Sequence, residues 1–190
     1  MVSEPGVFCY LSNPSRSRFT VRAFAGGMLS VLGHSPTFSI RDFTSVVEVA
    51  GANLEGASLR MVVKADSMKL VDEVSEKDRQ EIETKMREEV LETSKYPEIT
   101  YASTAVTSAR IFEGQYRLNI NGKLLLHGVT RDCPISAMAI VSEDGLRASG
   151  EFALLQSNYG IKPVSAAGGS IKIKDELKFS FDIVARKESV

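Results

Sequence analysis

The chain has 190 residues, 43% of them hydrophobic and none of them Trp, with 23 Lys plus Arg against 24 Asp plus Glu for a formal net charge of -1. A single domain of this length buries roughly two thirds to three quarters of its unfolded surface, so its core requires neither metal nor disulfide. The balanced charge excludes a strong basic field for nucleic acid or anionic lipid, and Cys9 and Cys133 stand alone with no CxxC or disulfide framework.

In chain order, residues 1–18 carry Glu4 and Pro5 ahead of a short apolar stretch, Val7 to Leu11, with no basic lead. They read as an N-terminal extension and not as a signal peptide. No apolar run reaches the ~18–20 residues that span a bilayer, so the expected location is cytoplasmic. From Phe19 onward most segments alternate with a period of two, which sorts side chains onto opposite faces of a strand. Phe19 to Ala25, Thr37 to Val49, Leu59 to Val63 and Ile99 to Val106 have this character. Thr37 to Val49 changes phase midway, since Phe38 and Ile40 are even and Phe43, Val47 and Val49 are odd, as at a bulge that bends a long strand.

Between Asp72 and Glu92 the pattern breaks. Nine acidic and four basic residues occur there, and Ile82, Met86 and Val90 repeat on one helical face. Ser75-Glu76-Lys77-Asp78 has the form of a capping box, Glu81–Lys85 and Glu83–Arg87 are i,i+4 pairs, and Tyr96-Pro97 should stop the helix. So narrow an apolar stripe predicts a helix packed on the end or wall of a β structure, with its acidic face solvated.

Further strands are predicted over Tyr116 to Ile120, Lys123 to Leu126, Cys133 to Val141, Ala148 to Leu154 and Leu177 to Ala185. Asn121-Gly122 is expected to form a hairpin turn between the first two of these, and Glu143-Asp144-Gly145 to turn the chain near Val141. Residues 160–169, rich in Gly and Ala, read as a solvent-facing loop. The sequence thus predicts one mainly β domain of eight or nine antiparallel strands with one principal helix. Its alternating apolar residues either fill a sandwich core or surround a barrel cavity, and periodicity does not choose between them.

Candidates for chemistry are few. His34 and His127 are the two histidines, and with Cys9 and Cys133 they show none of the spacings of zinc modules. His127 with Cys133, oriented by Asp132, is conceivable as a nucleophile pair. A small core side chain describes Cys133 better, because it opens an apolar alternation. No nucleophile elbow or phosphate loop is present, Gly26-Gly27 and Gly168-Gly169 included. No cofactor is expected.

Three segments carry a resemblance. Lys95-Tyr96-Pro97-Glu98-Ile99-Thr100-Tyr101-Ala102-Ser103-Thr104 follows the charged helix, Asn121-Gly122-Lys123-Leu124-Leu125-Leu126-His127-Gly128-Val129-Thr130-Arg131 comes next, and Asn158-Tyr159-Gly160-Ile161 comes third. In this order they resemble the Tyr-Pro-x-Ile, His-Gly-Val-Thr and Asp-Phe-Gly-Ile blocks of the YceI-like family of lipid-binding proteins. The likeness runs from about Phe19 to Lys187. The chain departs from the family pattern at Gly33-His34-Ser35-Pro36, at Arg79-Gln80-Glu81-Ile82 and at Leu155-Gln156.

The resemblance implies a lipocalin-like antiparallel β-barrel over residues 19–187 that binds, transports or sequesters a long apolar lipid such as an isoprenoid quinone, without catalysis. It implies Phe19, Leu59, Met61, Ile99, Tyr101, Phe152, Phe179 and Phe181 on the ligand. Tyr159 and the 160–169 loop would form the rim, His127 a structural hydrogen bond at a strand end, and the chain a homodimer. A filled β-domain acting as a protein-interaction module, and an enzyme using His127 and Cys133, are the alternatives.

Overall fold

The computed structural model describes residues 7–26, 35–51, 53–166 and 171–188. In chain order the strands are β1 (Val7–Ser12), β2 (Arg18–Gly26), β3 (Thr37–Ile40), β4 (Phe43–Ala50), β5 (Ser58–Lys64), β6 (Met68–Leu70), β7 (Glu98–Phe112), β8 (Gln115–Leu126), β9 (Val129–Asp132), β10 (Ile135–Val141), β11 (Gly145–Leu155), β12 (Ser165–Ala166) and β13 (Ile171–Glu188). Helix α1 (Glu76–Lys85) lies between β6 and β7 and runs into a wider π turn, Met86–Val90.

β1 with β2, β3 with β4, and β5 with β6 act as three bent staves. With β7, β8, β10, β11 and β13 they form a closed antiparallel barrel of 8 strands. β13 closes it, pairing with β11 along one side and with β2 and then β1 along the other. At the corner between β1 and β2 the Asn13 N–H donates to the Val184 carbonyl at 2.7 Å, and the Val184 N–H donates to Ser17 Oγ at 3.0 Å. Both backbone groups of Val184 thus stay paired where the stave bends.

The structure resets several boundaries. Residues 7–12, expected in an N-terminal extension, are a barrel strand paired with both β4 and β13; their alternation is short but complete enough to bury Tyr10. Thr37 to Val49 is broken at Arg41-Asp42 and not bulged: β3 pairs with β2 and β6, while β4 pairs with β1 and β5. The phase change is the record of that corner. The 143–145 turn joins β10 to β11 as expected.

Asn121-Gly122 is not a turn. β8 runs straight through it, and the hairpin from β7 to β8 turns at Glu113-Gly114, where Gly114 has φ 69°. Gly122 serves packing instead: a Cβ there would fall inside the Tyr101 ring. β7 accommodates the close approach with an extra residue between Ser103 and Ala105.

The helix begins as expected, with Ser75 Oγ accepting from the Asp78 N–H at 3.1 Å, and Glu81 pairs with Lys85 at 3.3 Å. Glu83 does not pair with Arg87. Its carboxylate accepts from the Leu70 N–H at 3.0 Å and from Lys69 Nζ at 3.1 Å, while Arg79 donates to the carbonyls of Leu70 and Asp72. Among the described residues β6 has β3 on one side and no strand on the other, so helix side chains satisfy the open edge. The chain leaves the helix through Glu92, at φ 45°, ahead of Pro97.

Burial pushes the Glu83 carboxyl up, but the Leu70 N–H, Lys69 and Arg79 together outweigh it and hold it below the usual carboxylate range. A depressed native pKa stabilises the fold above the unfolded value and is lost as pH falls through the native one. Wild type should therefore lose more stability than Glu83→Gln on acidification below about pH 4.5, with Glu83→Gln already weaker by about 1–2 kcal/mol at pH 7; urea midpoints across pH 3–7 would check both. Gly122→Ala should cost about 1–3 kcal/mol by forcing Tyr101 from its seat, measured in the same way.

Candidate functional site

The closed barrel is hollow. A cavity of about 540 Å³ runs inside it, within the range of small-molecule sites. The strand faces explain why. Tyr101, Phe19, Val63 and Ile183 are buried among their neighbours, whereas Leu59, Met61, Ile99, Phe152, Leu177, Phe179 and Phe181 point inward yet are only partly buried. In a filled sandwich core these side chains would be sealed; here they face open space.

One wall is aromatic. Register sets Phe152 on β11 opposite Phe179 on β13, and Phe181 opposite Phe19 on β2. The Phe152 and Phe179 rings stack at 4.7 Å with a 6° interplanar angle, and Phe19 meets Phe43 edge-on at 5.9 Å. The facing wall carries Leu59 and Met61 from β5 and Ile99 and Tyr101 from β7. Leu54 and Ala57, both buried in the β4–β5 connection, close one end. Helix α1 and the π turn cover the other, presenting Ile82, Met86 and Val90 to the cavity with Glu81 and Lys85 beside them.

Eight of the nine residues expected at the ligand site therefore line the cavity; Tyr159 does not. Tyr159 is buried at 3% exposure in the 3-10 turn Gln156–Tyr159 after β11, and burial, with the nearby Cys133, pushes its hydroxyl pKa up. It is buried in that turn and is not on the cavity lining. From the loop expected beside it, Ile161 and Val164 reach the cavity, and residues 167–170, with Gly168 and Gly169, lie outside the described residues, as do Gly27 and His34.

The tyrosine of the inner wall is committed elsewhere. The Tyr101 hydroxyl donates to the Cys133 carbonyl at 3.0 Å, and burial raises its pKa strongly. Cys133 faces the cavity, and burial pushes its thiol up as well, which keeps it protonated in neutral water.

His127 is not part of this space. Its Nε2 lies 2.6 Å from Glu92 Oε2, its ring packs on Tyr96 at 4.4 Å, and its backbone is left-handed at φ 51°. It ties the end of the helical segment to the β8–β9 turn. Asp132 pairs with Lys123 at 2.8 Å on the surface, so the proposed orienter of His127 is engaged elsewhere and the three do not form a catalytic group. Among the described residues no set of three His, Cys, Asp or Glu side chains could hold a metal.

Sequence reasoning missed several lining residues, among them Leu54, Ser45 and Gln156. Gln156 had a signal: it continues the inward phase of Phe152 and Leu154 at a period of two. Leu54 had none, because it stands in an irregular connection.

No curated protein matches the chain. Among solved structures it is similar to BcnA of Burkholderia cenocepacia, with a TM-score of 0.69 at 15% identity over 91% of this chain and 98% of that one. It is similar to a polyisoprenoid-binding domain from Saccharophagus degradans implicated in plant cell wall breakdown, with a TM-score of 0.67 at 12% identity over 94% and 98%. A YceI protein of Campylobacter jejuni superposes with a TM-score of 0.60 at 15% identity over 80% and 85%. These likenesses establish the fold. The family model for the YceI-like domain matches residues 10–185, nearly the whole barrel from β1 to β13, and the chain belongs to the YceI-like family.

Proposed function

We propose that this protein binds, carries or sequesters a long apolar lipid, an isoprenoid such as an isoprenoid quinone, inside its barrel and performs no chemistry on it. The observation that carries this reading is the apolar hollow, with inward-pointing side chains left part-exposed by one another. Each CH₂ group moved from water into such a space contributes ~0.8 kcal/mol, so a long chain gains affinity by length alone. The similarity to a polyisoprenoid-binding domain supports the same ligand class. Among the described residues no helix is long and apolar enough to cross a membrane; the cytoplasmic location expected from the sequence and the homodimer implied by the family resemblance belong to this proposal.

Native mass spectrometry of freshly purified protein should show a discrete lipid adduct, identified after organic extraction, and delipidated protein should take up a long-chain isoprenoid saturably. Absence of any saturable uptake would sink the reading. Ala148, on β11, faces the cavity and is only partly buried. Ala148→Phe should therefore fill open space, reducing isoprenoid uptake by on the order of tenfold or more while the melting temperature stays within a few degrees of wild type.

A further inference from the structure

Almost every group that faces the cavity is apolar, and the polar exceptions differ in what they accept. Gln156 lies where β11 ends and β13 begins, at the helix-covered end, and is 3% exposed. Its Nε2 donates to the Lys174 carbonyl at 3.0 Å, which fixes the amide orientation because a carbonyl demands the NH₂ side. Its Oε1 has no donor among the described residues. Gln156 lies on the cavity lining, with Oε1 on the side of the amide turned from that carbonyl.

A second polar group shares the space. Ser45 is 3% exposed and its Oγ has no partner among the described residues. A hydroxyl can rotate to donate or accept and so does not discriminate. The Gln156 oxygen can only accept, and the carboxylates on the lining are engaged, Asp72 by the Thr37 N–H and Glu81 by Lys85, as is the Ser58 hydroxyl by Glu48. Charge narrows the choice further: Lys85 is the one cationic side chain along the described lining, and its Nζ lies 3.3 Å from Glu81 Oε1. An anionic head group there would meet a carboxylate beside the cation that attracts it.

We propose that Gln156 selects the ligand's polar end, accepting a hydrogen bond from a neutral hydroxyl, so that the barrel prefers long-chain isoprenoid alcohols or quinols over their ethers and phosphate esters. This rests on the lipid-binding reading and specifies which member of that class is held. A ligand without a donor leaves Oε1 dry and unpaired, which carries the full cost of desolvating an amide oxygen.

The test compares geranylgeraniol, its methyl ether and its monophosphate by equilibrium dialysis against delipidated protein. The alcohol should bind on the order of tenfold more tightly than the ether, and the monophosphate more weakly than the alcohol. Gln156→Met keeps the length and volume of the side chain but removes the acceptor. It should bring the alcohol-to-ether ratio to about one by weakening the alcohol alone, whatever the loss of the Lys174 contact does to stability. Equal binding of alcohol and ether to wild type, a ratio unchanged in Gln156→Met, or tighter binding of the monophosphate would each overturn the assignment. If Gln156→Met does not fold, the wild-type comparison decides. Uptake of none of the three would instead overturn the lipid reading on which the assignment rests.

Discussion

Everything in this molecule depends on β13 being shared. An antiparallel sheet left open would expose two rows of unpaired N–H and C=O groups; here one strand of 18 residues pairs with β11 on one side and with both halves of a bent stave, β2 and β1, on the other. Closure fixes the circumference. Once eight strands are joined in a ring, their spacing decides how far apart the walls stand, and the side chains cannot draw the walls together to fill the centre. The cavity is therefore a consequence of backbone pairing, and the part-exposed Phe152, Phe179 and Phe181 tolerate it because their rings pack on one another.

Bending the staves creates a second problem that the helix solves. β5 pairs with β7, but after the turn at Ala65–Ser67 the chain continues as β6, which among the described residues has β3 on one side and no strand on the other. Glu83 and Arg79 supply the missing acceptor and donor from side chains. The polar residues of this helix are thus structural, and its narrow apolar stripe meets a hollow more than a core. That accounts for a helix so rich in acids remaining docked. At its far end the π turn, Glu92 and His127 fasten the chain again.

The strand faces were legible because burial on one side of a sheet enforces a period of two, and eight of the nine expected ligand contacts do face the interior. Four things were not. Asn121-Gly122 has the composition of a hairpin, but the glycine answers to the Tyr101 ring across the ladder, a long-range contact that local sequence does not record. Val7–Ser12 was too short to stand out, and its pairing depends on a strand almost the whole chain away. Glu83 has an ideal i,i+4 partner in Arg87, yet a buried backbone N–H at Leu70 competes for it and wins, because leaving that N–H unpaired costs more than a surface ion pair returns. Hollow against filled was also beyond the sequence, since alternation is identical in both.

The same physics shapes what the interior can discriminate. Apolar walls reward any chain for its length and cannot tell one hydrocarbon from another by more than the few kcal/mol that shape allows. Selection must then come from the few polar atoms left facing inward. The structure removes most candidates: Tyr101 gives its hydroxyl to the backbone, Cys133 is held as a neutral thiol by its surroundings, and His127 lies outside on Glu92. The charged groups that reach the lining, Asp72, Glu81 and Lys85, come from the helix and the chain that enters it. Against walls otherwise apolar, a polar atom weighs more than it would in water. A barrel of this kind gains affinity from its whole surface and specificity from very few atoms.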